Sequence, residues 1–453
     1  MTVRLGARGR TAARAWLVSL ALAAPAVAVA TPGPAHAETA AQPVAEDAGF
    51  SVAKLAHIDQ YFAHEIADHQ IPGAIVLVQR HGKPAYLRCF GVRDIATGLA
   101  MTPDTIFRIF SMTKPITAVM VMMLVDQGKL KLDDRLSTFI PSFADAKVGV
   151  EVKDADGTPK LDLVPLDRPI TIEDLLRQSS GITYGFYGDT LVRRAYAKAD
   201  LFRGNVNNAT LAERIAKLPL AEQPGTLWDY GHSMDILGRV IEIVTGRTLY
   251  QAEKAMLFDP LGMNHTAYYV SDAAKFPLIA RPMPNDATFV AAMERNVELP
   301  TTWEPGGSGL VSTVTDYAKF AQMLLNGGTL DGRRYLSPEA FKRMTSNDIT
   351  PATSVKKGAF YFPGDGFGYG LGFGVRVERG EHDPPGSIGE FKWDGAGGTY
   401  FFVDPKQDLF VLFMVQSPSQ RGRIQPELKK MVYDALEPSD VTRTAISSPA
   451  PRR

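Results

Sequence analysis

Strand-like runs in this chain sit near its two ends, and the long stretch between them reads as helix. Residues 74–79 and 85–90 are apolar runs of strand length, and Arg80-His81-Gly82-Lys83 between them reads as a hairpin turn. Towards the other end, residues 370–377, 399–403 and 409–415 are strand-like as well. Each group has a helix beside it. Leu55, Ile58, Phe62 and Ile66 recur at three- and four-residue spacing, which is one face of an amphipathic helix. Pro426 is expected to open a last helix, with Leu428, Met431, Val432 and Ala435 on one side. The simplest arrangement pairs the terminal strands into one antiparallel sheet with the terminal helices against it. Residues 115–340 then build a mostly helical lobe. That is an α+β layout, not an alternating βαβ one. Residues 150–169 and 380–388 are expected to be surface loops. A cleft between two lobes is a common place for an active site.

Residues 1–37 stand apart. Arg4, Arg8, Arg10 and Arg14 precede an Ala-rich apolar run over 15–30, and no acidic residue occurs before Glu38. Ala35-His36-Ala37 offers a small-residue cleavage site. This order is that of a secretory leader. The run is short for a bilayer span, which needs about 20 apolar residues, and no adjacent arginine pair marks a twin-arginine route. The expectation is an exported protein, periplasmic or secreted, with no membrane anchor after cleavage. One domain over 38–437 and a loose tail over 438–453 would follow. Without the leader, the 49 basic residues fall to 45 against 49 acidic, a net −4. Nothing in that balance draws nucleic acid or anionic lipid. Cys89 is the one cysteine in the chain. An internal disulfide is therefore excluded, and stability must come from a packed core. Cys89 lies in an apolar run and is expected to be buried and inert.

The chemistry points to the segment from Ile106 to Pro115. An apolar run ends at Ser111, and a strongly apolar helix follows with Val119, Met122, Met123 and Val125. If that helix begins at Ser111, Lys114 lies on the same face, and Pro115 is tolerable only close to the helix start. The Ser111 N–H then sits at a helix N-terminus, where it stabilises developing negative charge. An apolar wall disfavours a charged lysine and lowers it toward the general-base range. S-x-x-K alone is a weak signal. Ser51…Lys54 and Ser354…Lys357 repeat it, the first near the mature N-terminus and the second in a polar loop. Its plain alternative is an N-cap serine with an exposed lysine.

A second element is Pro224-Gly225-Thr226-Leu227-Trp228-Asp229-Tyr230-Gly231-His232-Ser233, a turn with aromatics leading into an apolar helix. Together with the Ser111 segment and Leu175-Leu176-Arg177-Gln178-Ser179-Ser180-Gly181, it resembles the β-lactamase-like serine hydrolases. That superfamily includes class C β-lactamases, D-alanyl-D-alanine peptidases and family VIII carboxylesterases. Gly307-Ser308-Gly309-Leu310-Val311-Ser312-Thr313 and Trp393-Asp394-Gly395-Ala396-Gly397-Gly398-Thr399 extend the resemblance, in order, over residues 53–436. It implies the β-lactamase/transpeptidase-like fold, Ser111 as the acylated nucleophile, and Lys114 and Tyr230 sharing the proton transfers. An ammonium beside the phenol is expected to lower it and make it a competent base. The backbone N–H groups of Ser111 and Ala396 would form the oxyanion hole. Trp393, Asp394, Gly395 and His232 would face substrate.

The departures from the family pattern carry information. Its third motif is typically Lys-Thr-Gly, with the lysine holding a substrate carboxylate. Here Trp393 and Asp394 take the first two positions. Lys392 is one residue away and so points to the other face of the strand. His232 stands where the family has Asn in Tyr-x-Asn. An aromatic at the third motif resembles the family VIII carboxylesterases. A missing anion contact weakens binding of anionic substrates, so the reading favours hydrolysis of small esters. The alternatives are a β-lactamase, D-aminopeptidase or D-alanyl-D-alanine carboxypeptidase with the same residues, and a non-catalytic sensor on the same fold.

Other chemistries find no support in the sequence. No G-x-S-x-G occurs, since Gly306-Gly307-Ser308-Gly309 fails at Leu310. His64-Glu65 and His69 miss the H-E-x-x-H spacing by one residue, so His57, His64 and His69 read as a solvated helix face and no metal is expected. No nucleotide-binding P-loop is present, and no cofactor is implied. His232 is open to two readings, a proton relay or a satisfied structural histidine. Trp228, Tyr184, Phe186 and Tyr187 are either core or the lining of a pocket.

Overall fold

The computed structural model describes residues 42–286, 296–381 and 385–437. The expected leader and tail lie outside these residues.

Helix α1 (Val52–Ala67) is capped by Ser51, whose hydroxyl accepts from the Lys54 N–H. The hairpin β1 (Gly73–Arg80) and β2 (Lys83–Asp94) follows, with β3 (Leu99–Ala100) beyond it. The chain then enters α2 (Thr113–Asp126). A hairpin of β4 (Lys147–Lys153) and β5 (Pro159–Pro165) comes next, then α3 (Ser233–Thr245) and α4 (Val314–Leu325) among shorter helices. Strands β6 (Phe367–Tyr369), β7 (Gly374–Arg376), β8 (Phe391–Asp394), β9 (Tyr400–Asp404) and β10 (Leu409–Val415) return to the sheet. Helix α5 (Arg421–Ala435) closes the described chain.

The two terminal groups of strands make one 8-stranded sheet in the order β6-β7-β8-β9-β10-β1-β2-β3. Every neighbouring pair in it is antiparallel. The join is β1 against β10, with Val76 opposite Phe413. Both strands are almost continuously apolar because both faces of the sheet are covered. Period-2 alternation sorts their side chains. Val76, Val78, Val411 and Phe413 meet Leu55, Ile58 and Phe62 of α1 and Leu428 and Val432 of α5. Ile75, Leu77, Phe410, Leu412 and Met414 meet the core shared with α2 and α4. Helix α2 is buried all round, from Thr113 to Leu124. A helix that is apolar on every side has to lie inside, and α2 therefore runs between the sheet and the helical lobe.

Four local expectations change. Residues 150–169 are not a bare loop: β4 and β5 pair antiparallel from Lys147↔Pro165 to Lys153↔Pro159. The 370–377 run is not one strand. It straddles a turn between β6 and β7, where Gly372 takes φ 97° and a Cβ would lie 2.4 Å from Ala118 Cβ. Pro426 does not open the last helix; it lies inside α5. Its missing N–H falls opposite Gly422. Cys89 is half-buried, not fully buried, and burial followed by the charge of Asp104 pushes its thiol up to about 11. His57, His64 and His69 are exposed on and just after α1. No helix among the described residues is long and apolar enough to cross a membrane.

Candidate active site

Ser111 lies in a short 3-10 turn, Phe110–Met112, immediately ahead of α2. The turn is tight enough to place Phe110 at φ 45°, a left-handed conformation unusual for a bulky side chain. The junction is fixed from both sides. Ile109 N donates to Leu310 O at 3.0 Å, and Thr399 Oγ1 donates to Ile109 O at 3.4 Å.

Lys114 projects from the first turn of α2 and is fully buried. Its Nζ donates to Gly307 O at 2.7 Å, and lies 3.2 Å from Ser111 Oγ and 3.4 Å from Tyr184 Oη. It also stands over the face of Tyr230, 4.5 Å from the ring centre. Burial lowers the amine from 10.5 to about 8, against the charges of Asp235 and Asp394, which hold it up. A neutral fraction of this lysine therefore exists near neutral pH, as a general base requires.

Tyr230 comes just before α3, with Trp228 stacked behind it at 5.9 Å and Trp393 beside it at 5.7 Å. Arg193 holds this neighbourhood together, donating to Asp229 Oδ1 at 2.6 Å and to the Tyr184 carbonyl at 3.2 Å. The phenol is pushed up, not down. Burial is the largest cause; the nearby Ser111 hydroxyl favours the anion and the charge of Asp394 opposes it. The expected lowering by an ammonium is not found: burial dominates, and Lys114 stands over the ring face. A phenol held protonated can donate a proton, and of the two groups it is Lys114 that is lowered toward the general-base range.

The third motif occupies β8. Trp393 is buried between Tyr230 and Tyr369. Lys392 points the other way, its Nζ 3.8 Å from the ring centre of Phe367. Asp394 pairs at 3.8 Å with Arg421, the first residue of α5. Gly395 is pressed against the Ser111 turn so closely that a Cβ would stand 2.4 Å from Ile109 O. This close approach needs glycine. It brings the Gly395-Ala396 backbone beside the nucleophile turn.

His232 is 5% exposed. Its Nδ1 meets Asp235 Oδ2 at 2.8 Å, and its ring stands edge-on to Tyr184 at 4.4 Å. Tyr184 is part of the site, since it touches Lys114. Phe186 and Tyr187 pack next to it. Trp228 is core. The second S-x-x-K, at Ser51, is a helix cap; the third ends on exposed Lys356–Lys357, paired with Leu227–Trp228.

Two participants were not anticipated. Asp235 Oδ1 accepts from Gly307 N at 2.8 Å, and Thr117 Oγ1 donates to Gly306 O at 2.7 Å. A strap of two glycines is thereby held between α2 and α3. Side chains are excluded there, because a Cβ would lie 2.6 Å from Met234 O at Gly306 and 2.9 Å from Asp235 Oδ1 at Gly307. The glycine doublet was the visible signal; its partner was not.

Residues 58–430 match the family model described as Beta-lactamase. The chain belongs to the β-lactamase family. Protein Rv1367c of Mycobacterium tuberculosis is 37% identical over 353 residues, covering 76% of this chain and 86% of that one. The lovastatin esterase of Penicillium rubens is 30% identical over 387 residues, covering 80% and 92%. Among solved structures, that of EstCE1, a hydrolase with promiscuous acyltransferase activity, superposes with a TM-score of 0.68 at 23% identity, over 84% of this chain and 100% of that one. This member of the β-lactamase family is a serine hydrolase on the β-lactamase fold.

Proposed function

We propose that the protein is a carboxylesterase acting on small neutral esters through an acyl-enzyme on Ser111. Neutral Lys114 takes the Ser111 proton as Oγ attacks the ester carbonyl. The N–H groups of Ser111 and Ala396 hold the resulting oxyanion. Tyr230 passes a proton to the departing alcohol. Water, activated by the same groups, then releases the acid and frees Ser111. The observation that carries this reading is Trp393, buried against Tyr230 where the family's carboxylate-binding lysine would stand. The nearby cation, Arg421, is already engaged with Asp394. The name of the Penicillium relative supports the same substrate class.

The decisive experiment compares p-nitrophenyl acetate and butyrate with nitrocefin, using residues 38–453 and the Ser111→Ala variant. Ester turnover that vanishes in the variant, with little nitrocefin cleavage, is expected. Efficient nitrocefin cleavage would instead favour the β-lactamase reading. Export under residues 1–37 belongs to the same proposal. It is checked by the N-terminal sequence of the protein recovered outside the cytoplasm.

A further inference from the structure

An imidazole nitrogen beside the site is not used by the chemistry above. His232 Nδ1 meets Asp235 Oδ2 at 2.8 Å. A carboxylate only accepts, so Nδ1 carries the hydrogen and, in the neutral ring, Nε2 is left as an acceptor. Asp235 cannot swing away, because its other oxygen holds Gly307 N at 2.8 Å. The tautomer is therefore built in. Nothing among the described residues pairs with Nε2, and although the residue as a whole is 5% exposed, this nitrogen is not itself sealed from its surroundings.

The surroundings indicate what the partner looks like. Phe202 is 50% exposed. Its ring lies 5.9 Å from that of His232 and stacks on Trp303 at 4.8 Å, with 29° between the planes. The two loops that carry these rings are tied together, since Thr302 Oγ1 reaches Asn205 Oδ1 at 2.7 Å and Val206 O at 3.0 Å. On its other side His232 touches Tyr184 at 4.4 Å, and Tyr184 Oη lies 3.4 Å from Lys114 Nζ. An exposed flat apolar wall thus leads to an unpaired acceptor next to the nucleophile. Such a combination of apolar lining and one placed polar group is that of a ligand subsite.

We infer that His232, Phe202 and Trp303 form a subsite for a flat apolar group bearing a hydroxyl or N–H donor, on a substrate whose ester lies at Ser111. The aromatic body lies on Phe202 and Trp303, and its donor closes the hydrogen bond that His232 Nε2 lacks. The inference rests on the hydrolase reading for the ester, but its test does not need turnover.

The probes are p-cresol and 4-methylanisole, which share a ring and a methyl group and differ in the O–H donor. They are titrated into the full mature chain, with binding followed by NMR and the imidazole nitrogens observed in 15N-histidine-labelled protein. p-Cresol is expected to bind about two- to tenfold more tightly, the range one hydrogen bond supplies, and to move the Nε2 resonance of His232. Phe202→Ala should weaken both probes by a similar factor and keep their ratio. His232→Phe should bring the ratio to about one. Equal affinities in the wild-type protein, or an Nε2 resonance unmoved by saturating p-cresol, would overturn the subsite. Both are read on the unmodified chain, so neither depends on a variant folding. If esters are turned over while the probes bind equally, the hydrolase reading stands and the subsite falls; selective p-cresol binding without ester turnover gives the reverse.

Discussion

Asp235 reaches Lys114 through a single residue, Gly307. Its Oδ1 accepts from Gly307 N at 2.8 Å, and Gly307 O accepts from Lys114 Nζ at 2.7 Å. Position and charge therefore arrive together: the strap aims the amine, and the carboxylate opposes the lowering that burial imposes. Asp235→Asn keeps an acceptor for Gly307 and removes the charge. Turnover by a neutral lysine rises with pH through its value near 8. Without the opposing charge that rise is expected at lower pH. The pH profile of kcat/KM on p-nitrophenyl butyrate reads it directly, and a limb that stays or moves upward would remove Asp235 from the control of Lys114.

The same lysine makes the site a stability liability. Its amine stands at about 8 in the folded chain against 10.5 when exposed. Between these values the unfolded chain binds the extra proton, so stability rises with pH across that window and this group's penalty is fully present below pH 8. The shift corresponds to roughly 3 kcal/mol. Lys114→Met is expected to abolish turnover while leaving the protein more stable than wild type at pH 7, with an advantage that shrinks by pH 10. The gain will fall short of the full figure because Gly307 O loses its donor. Urea denaturation at the two pH values decides it; an advantage independent of pH would contradict the buried-charge account.

How much of this was readable from sequence depends on how local each feature is. The pairing of chain ends into one sheet followed from continuous apolar runs such as Leu409–Val415, whose burial on both faces is a property of the run itself. The approach of Lys114 to Ser111 was legible because it follows three positions later across the start of one helix. The β4–β5 hairpin was missed although Val148, Val150 and Val152 alternate with polar neighbours. It is largely exposed, and its composition is that of a loop. The break in the 370–377 run was hidden because the residue that needs glycine there, Gly372, is packed against Ala118 on a helix distant in sequence. The direction of the Tyr230 shift was misjudged for a similar reason. Spacing places an ammonium near a phenol but does not say whether it meets the oxygen or the ring face. Asp235 was invisible as a participant because its partner Gly307 is 72 positions away.

Gly395 is where the sheet touches the nucleophile turn, and replacing it separates binding of the oxyanion from the rest of the site. A Cβ there would meet Ile109 O and Thr399 Oγ1, each at 2.4 Å. The Ile109 carbonyl is backbone and cannot yield without moving β8 off the Ser111 turn. Gly395→Ala is expected to lower kcat by about 10²–10³, the loss associated with one oxyanion donor, and to cost about 1–3 kcal/mol of stability from overpacking. Stopped-flow acylation alongside thermal denaturation distinguishes the two effects. Near-normal acylation in the folded variant would take the Ala396 N–H out of the oxyanion hole.

Asp394 decides what charge the mouth of the site presents. It pairs with Arg421 at 3.8 Å, and both are about one-third exposed. Burial pushes the Asp394 carboxyl up, while the positive charges of Arg421 and Lys392 pull it down. The same Arg421 charge favours the ionised forms of Tyr187 and Tyr230, so it acts on the site and not on solvent alone. With Asp394 in place the pair offers a carboxylate-bearing substrate little net attraction. Asp394→Asn leaves the arginine uncompensated, in the role the family assigns to its third-motif lysine. The expected result is a KM several-fold lower for an ester carrying a free carboxylate, such as a hemisuccinate, with little change for its neutral methyl-capped analogue. Because the cation is partly solvated, the gain should shrink as ionic strength rises from about 0.05 to about 0.5 M. Equal KM changes for the charged and neutral esters would mean that Arg421 does not reach the substrate. The exclusion of anionic substrates would then rest on Trp393 alone.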